Sequence, residues 1–125
     1  MAMTRNPADA ALRHLSRDQR ALLRETVGDS AVDVWLTHTR VDTGGWMGRR
    51  RILVAAHEGR VVLLAPGVKP YVEAIPFREL DQSLYNHVTG ELVLAPAPGK
   101  GVRTLDMPSL DAQQLLQMIR NQESV

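Results

Sequence analysis

Four arginines stand close together in this chain: Arg40, and then Arg49, Arg50 and Arg51 beyond the loop Thr43-Gly44-Gly45-Trp46-Met47-Gly48. A guanidinium is always charged and offers its N–H donors as a planar fork, so several gathered together suit the oxygens of one phosphate or carboxylate. Trp46 and Met47, carried among them on a glycine-rich loop, have the amphipathic chemistry to enter a membrane interface. The more common reading of such residues is a solvated strand entrance with Trp46 folded back onto a sheet. Arg40, Trp46, Arg49, Arg50 and Arg51 are therefore candidate ligand-binding residues, defined by charge and spacing alone.

Every other reactive grouping fails its first requirement. His14, His38, His57 and His87 are scattered, whereas metal ligands come paired at short spacing, so surface or structural roles are expected. His57-Glu58 opens like H-E-x-x-H, but Val61 occupies the place of the second histidine. Pro98-Gly99-Lys100-Gly101 lacks the rest of a phosphate loop, and no helix follows to lend its N-terminus. Glu79 and Asp81 could form an acid–base pair, yet two acids in a turn are ordinarily solvated. No Gly-x-Ser-x-Gly occurs, and there is no cysteine for thiolate chemistry, disulfides or zinc. The expectation is a protein that is not an enzyme, with no catalytic residue, metal or cofactor.

At 125 residues, 44% hydrophobic and 23% charged, the chain has the size and composition of one soluble domain. Its net charge of +1 is too small to argue for a nucleic-acid partner, and none is expected. The charges are unevenly placed: residues 31–70 hold a surplus of basic groups, and residues 71–125 a surplus of acidic ones. That asymmetry would let the basic end of one copy meet the acidic end of another. The opening residues lack the apolar core of a signal peptide, and no apolar run nears the roughly 20 residues that span a bilayer. A cytoplasmic location is expected.

The elements that would position these groups follow from periodicity. Asn6-Pro7 reads as a helix start; Leu12 and Leu15 share a face, and Ser16 with Gln19 makes a second capping box where the helix can restart. Leu22, Leu23, Thr26 and Val27 continue an apolar stripe that Gly28 ends. From Ala31 the period changes to two, with Val32, Val34 and Leu36 alternating against Asp33, Trp35 and Thr37 as a half-buried strand. Runs 51–57 and 60–65 flank the tight turn Glu58-Gly59. Tyr71 to Phe77 is a strand that Pro76 assigns to an edge or bulge, Ser83–Val88 and Glu91–Ala95 are a hairpin, and Val102–Met107 is the last strand. Ser109 then caps a helix to Asn121 with Ala112, Leu115, Leu116 and Ile119 on one face.

Strands and hairpins followed by a single terminal helix resemble the pleckstrin-homology-like superfold, and 50–64 resembles the bacterial pleckstrin-homology signature. There a basic residue opens an apolar strand and a second arginine begins the next, as Arg50-Arg51 and Arg60 do here. Ile75-Pro76-Phe77-Arg78-Glu79-Leu80 and Val88-Thr89-Gly90-Glu91-Leu92-Val93-Leu94 are similar to two further segments of that family, although His57-Glu58-Gly59 departs from its usual turn. The resemblance covers about residues 30–121 and implies a mainly β fold: a barrel of two near-orthogonal antiparallel sheets, about seven strands in all, capped by the C-terminal helix. Residues 1–30 would be a helical extension, 31–121 the domain and 122–125 a tail. In lipid-binding relatives the loop between the first two strands holds phosphorylated headgroups with a basic residue, a spacer and basic-x-Arg, a pattern that Arg40, Arg49 and Arg51 fit. The functional expectation is a binding or assembly module that takes a protein partner or self-associates as a homo-oligomer. Binding to an anionic membrane surface through the Arg40–Arg51 loop is the alternative, and an enzyme with an unrecognised site the second. The apolar face of the N-terminal helix, Leu12, Leu15, Leu22 and Leu23, is a further candidate for pairing with another copy.

Overall fold

The fold is seen in a computed structural model, which describes residues 14–28, 33–45, 48–97, 99 and 101–123. Helix α1, Arg17–Val27, begins where the sequence supplies a reciprocal cap: Ser16 Oγ accepts from the Gln19 amide at 3.1 Å, and Gln19 Oε1 accepts from the Ser16 amide at 2.8 Å. Gly28 ends it at φ +74°, donating its N–H to Arg24 O at 2.8 Å. Asn6, Pro7, Leu12, Ala31 and Val32 lie outside the described residues.

Strands β1 (Asp33–Asp42), β2 (Arg49–His57), β3 (Arg60–Ala65) and β4 (Tyr71–Pro76) form one antiparallel sheet in that order. A 3-10 turn, Phe77–Glu79, leads to a second antiparallel sheet of β5 (Leu84–Asn86), β6 (Glu91–Val93) and β7 (Thr104–Asp106). Helix α2, Ser109–Glu123, follows. It starts one residue earlier than Ser109 as a cap would place it, since Pro108 O already accepts from the Ala112 amide at 3.0 Å. The strands of the second sheet are shorter than their apolar runs. Residues 87–90 form the β5–β6 turn, and Val102, Arg103 and Met107 lie outside the ladder. Pro76 closes β4, an edge strand, where its missing N–H removes no ladder bond needed further along.

The first sheet is apolar on both sides. One face, with Trp35, Ile52, Val54, Val61 and Leu63, packs against Leu92 and Leu105 of the second sheet and Ala112, Leu115, Leu116 and Ile119 of α2. The opposite face, with Val34, Leu53, Ala55, Val62 and Leu64, is covered by Leu15, Leu22, Leu23 and Val27. At about 1.5–3 kcal/mol for each large side chain removed from water, this second cluster is a substantial part of the fold. Two expectations change accordingly. The strand from Asp33 is not half-buried, because Trp35 is 4% exposed and Thr37 0%, while Val34 on the other face is also 0%. Leu15, Leu22 and Leu23 are used within the chain and leave no apolar stripe for a second copy; Leu12 lies outside the described residues.

A bulge shapes β1. Its pairing with β2 runs to Leu36↔Leu53 and resumes at Arg40↔Arg51, so three β1 residues oppose one on β2. Buried Thr37 holds the bulge, its Oγ1 donating to Ile52 O at 2.9 Å and accepting from the Thr39 amide at 3.2 Å. Past this bend β1 reaches the second sheet, where Thr39 Oγ1 accepts from the Asp106 amide at 2.8 Å. That side-chain bridge stands where a barrel would continue its ladder. Among the described residues the two sheets remain separate rather than closing into one barrel.

The β2–β3 turn adopts φ +50° at Glu58 and +74° at Gly59, both left-handed as a tight two-residue hairpin requires. Asparagine tolerates this region better than glutamate because its short side chain hydrogen-bonds locally. Glu58→Asn should therefore stabilise the protein by about 0.5–1 kcal/mol in urea unfolding. An unchanged or lower midpoint would show that the turn is unstrained at Glu58.

Candidate functional site

Register brings the arginines together. Arg40 stands directly opposite Arg51, and Asp42 opposite Arg49, so side-chain alternation puts Arg40, Arg49 and Arg51 on the same face of the β1–β2 ribbon. Like charges directly opposite one another repel, and a chain seeking stability alone would pair them. Arg51 is fixed by its Nε donating to Thr37 O at 2.8 Å, with its NH2 group 3.4 Å from His38 Nδ1. One NH2 of Arg49 reaches Arg40 O at 3.5 Å. Asp42, the nearest acid in the ribbon, is turned to the loop and accepts from the Gly44 amide at 2.9 Å. Among the described residues neither Arg40 nor Arg49 has an ion-pair partner. Arg50 is drawn away from this group, its NH2 lying 4.0 Å from Asp18 Oδ2 of α1. Trp46 and Met47 lie outside the described residues.

The fold adds two residues that the linear pattern missed. The β3–β4 loop is pinned to the β1–β2 loop by Lys69 donating its amide to Thr43 O at 2.8 Å. Gly67 packs so closely on Thr43 that any side chain there would collide with the threonine. The result places Lys69 and Val68, the latter 76% exposed, against Gly44 and Gly45. Their only sequence signal is a lysine and a valine isolated between Gly67 and Pro70, in a turn with no partner nearby in sequence.

A second polar cluster fastens the sheets to one another. Arg103, just before β7, grips Glu73 of β4 with two parallel bonds, NH1 to Oε1 at 2.9 Å and NH2 to Oε2 at 2.8 Å. Tyr71 donates to the same Oε1 at 2.6 Å and accepts from the Val102 amide at 2.9 Å, while Arg103 Nε donates to Ala97 O at 3.0 Å. Gly101 fits beneath this clamp because a Cβ there would strike the Glu73 carboxylate. The hydrogen bonds from Arg103 hold the Glu73 carboxyl below the usual carboxylate range. Burial, followed by the bond to Glu73, pushes the Tyr71 phenol up. Each partner is satisfied by the others, which is the pattern of a structural clamp rather than of a catalytic acid and base.

The remaining candidates stay apart. His57 Nε2 is 3.7 Å from Glu58 Oε2, and His87 sets its ring edge-on to Tyr85 at 4.9 Å. His14 is exposed, as are Glu79 and Asp81. Among the described residues no three histidine, aspartate or glutamate side chains converge as metal ligands would. Pro98 and Lys100 lie outside the described residues, and no described helix is long and apolar enough to cross a membrane.

Glu73 carries a pH dependence with a defined sign. A carboxyl whose pKa is depressed by folding lends stability above its unfolded value, near 4.5, and that stability is lost as pH falls through the lower folded value. Tyr71, raised by folding, gives the opposite flank: its share holds below about pH 10 and is lost as pH rises through the folded value. Glu73→Gln should lower stability at pH 7 and flatten the acid limb below about pH 4.5 in urea unfolding; a limb as steep as the parent's would remove Glu73 from it. Set beside models of known protein families, curated proteins and solved structures, the chain matches none.

Proposed function

We propose that the chain is a non-catalytic binding module of pleckstrin-homology-like type, whose working surface is the cationic end formed by Arg40, Arg49, Arg51 and Lys69. The four-plus-three arrangement of antiparallel strands with a terminal helix whose apolar face is buried supports the fold reading. The observation that carries the functional one is the Arg40–Arg51 cross-strand pair, like charges held in register with no ion pair to either among the described residues. Such an arrangement gains most when an anion supplies the missing charge from outside. Exposed Val68 beside Lys69 gives that anion a class, because an apolar tip among cations suits an anionic membrane surface.

Co-sedimentation with phosphatidylcholine vesicles, with and without phosphatidylserine, tests this. The protein should pellet only with the anionic vesicles and be released in 1 M salt, where the screening length is about 3 Å. At roughly 1 kcal/mol per basic residue near the surface, Arg40→Ala with Arg49→Ala should weaken binding by about 30-fold, whereas Arg60→Ala with Arg78→Ala should change it little. Equal pelleting of both double variants would remove the cationic end from the function.

Assembly is a second reading, favoured by β4, an edge strand whose Val72 is 49% exposed. Light scattering should then show a mass that rises with concentration and falls for Val72→Lys. A constant monomer mass would exclude it.

A further inference from the structure

A cleft of about 260 Å3 lies between the beginning of β1 and the last turns of α2, lined by Asp33, Trp35, Gln114, Gln117, Met118 and Asn121. Three observations give it a chemistry. First, β1 is an edge strand: on the side away from β2, residues 33–38 have no ladder partner among the described residues, and the hydrogen bond that ties β1 to the second sheet lies beyond them, at Thr39. An open edge of this kind presents backbone donors and acceptors in a row. Second, Gln114, Gln117, Met118 and Asn121 recur at three- and four-residue spacing, so α2 turns one stripe of amides and a thioether to that edge. Trp35 Nε1 donates to Gln114 Oε1 at 3.1 Å, which leaves the Gln114 NH2 as a donor, and Gln117 and Asn121 have no side-chain hydrogen bond among the described residues. Third, the one charged residue lining the cleft is Asp33, which has no ion pair among the described residues.

We infer that this cleft binds an extended peptide segment carrying a basic side chain, added as a short strand alongside Asp33–Thr37. Backbone groups of the peptide pair with the β1 edge, side-chain amides of α2 take peptide groups on its far side, and Asp33 receives the ammonium or guanidinium. The mode is strand addition, in which main-chain bonds give affinity and a flanking pocket gives selectivity. The volume is below the roughly 300–1,000 Å3 of enclosed small-molecule sites, and one side is open, as a chain passing through requires. This surface is separate from the cationic end, and of opposite sign.

The test is two-dimensional NMR on the full chain, titrated with an acetylated, amidated tetrapeptide of valine, lysine, valine and threonine. Amide shifts should concentrate at Asp33–Thr37 and at the side-chain NH2 groups of Gln114, Gln117 and Asn121. The same peptide with glutamate in place of lysine should bind more weakly. Asp33→Asn should weaken binding about threefold to fivefold, and Gln117→Ala with Asn121→Ala about tenfold. Gln117 and Asn121 are exposed, so that pair of changes leaves the core intact. Arg40→Ala with Arg49→Ala should bind the peptide as the parent does, which separates this site from the membrane-facing one. Shifts that are absent, that survive the Gln117 and Asn121 changes undiminished, or that are equal for the lysine and glutamate peptides would overturn the proposal. So would slow exchange, before any peptide is added, of those Asp33–Thr37 amides that point away from β2, because the edge would then already be occupied by the chain itself.

Discussion

The structure depends on one ribbon, β2 with β3, being apolar on both faces. Ile52, Val54, Val61 and Leu63 turn to one side and Leu53, Ala55, Val62 and Leu64 to the other, all eight buried. A strand pair of this kind cannot sit at a surface, so it recruits cover twice: the second sheet and α2 on one face, α1 on the other. Both helices are thereby committed. Their apolar stripes are core, and what the packing leaves outside is the cationic loops, the strand edges and the polar flank of α2.

The rigidity of that ribbon also explains how two charged surfaces of opposite character can coexist on so small a domain. At one end of β1, register with β2 fixes three guanidiniums on one face, and the Thr43–Lys69 and Thr43–Gly67 contacts bring the neighbouring loop to them. At the other end, the β1 edge lies open beside α2 and Asp33. The Thr37 bulge lies between them: before it β1 pairs only with β2 among the described residues, and next to it Thr39 meets Asp106 of the second sheet. The Glu73–Arg103 clamp secures the opposite corner, where β4 and the approach to β7 share no ladder.

Local features were legible in the sequence because they depend on neighbours a few residues away. The Ser16–Gln19 cap, the Gly28 stop, the Glu58-Gly59 turn and the Ala112–Ile119 stripe all stand as read. The two-sided burial was also written there, in the unbroken apolar runs 52–56 and 61–65, although alternation along Asp33–Thr37 suggested a solvated face. What could not be read was pairing at a distance. Glu73 and Arg103 are 30 residues apart, and nothing local in either predicts the clamp. The cationic cluster was half legible: the arginine spacing marked the place, but Lys69 joins it only through the loop–loop bond, and Arg50 leaves it for Asp18 only because α1 docks nearby. The β1 cleft was invisible for the same reason, since Asp33 and Asn121 lie at opposite ends of the domain sequence.

Native-state hydrogen exchange, followed residue by residue, tests the central claim most directly. If the β2–β3 ribbon is sealed on both faces, the ladder amides within Ile52–Ala56 and Val61–Ala65 exchange only through global unfolding, with a free energy equal to that from denaturant. Those amides exchanging well before global unfolding would mean that α1 does not cover the outer face, and the account built on it would fail.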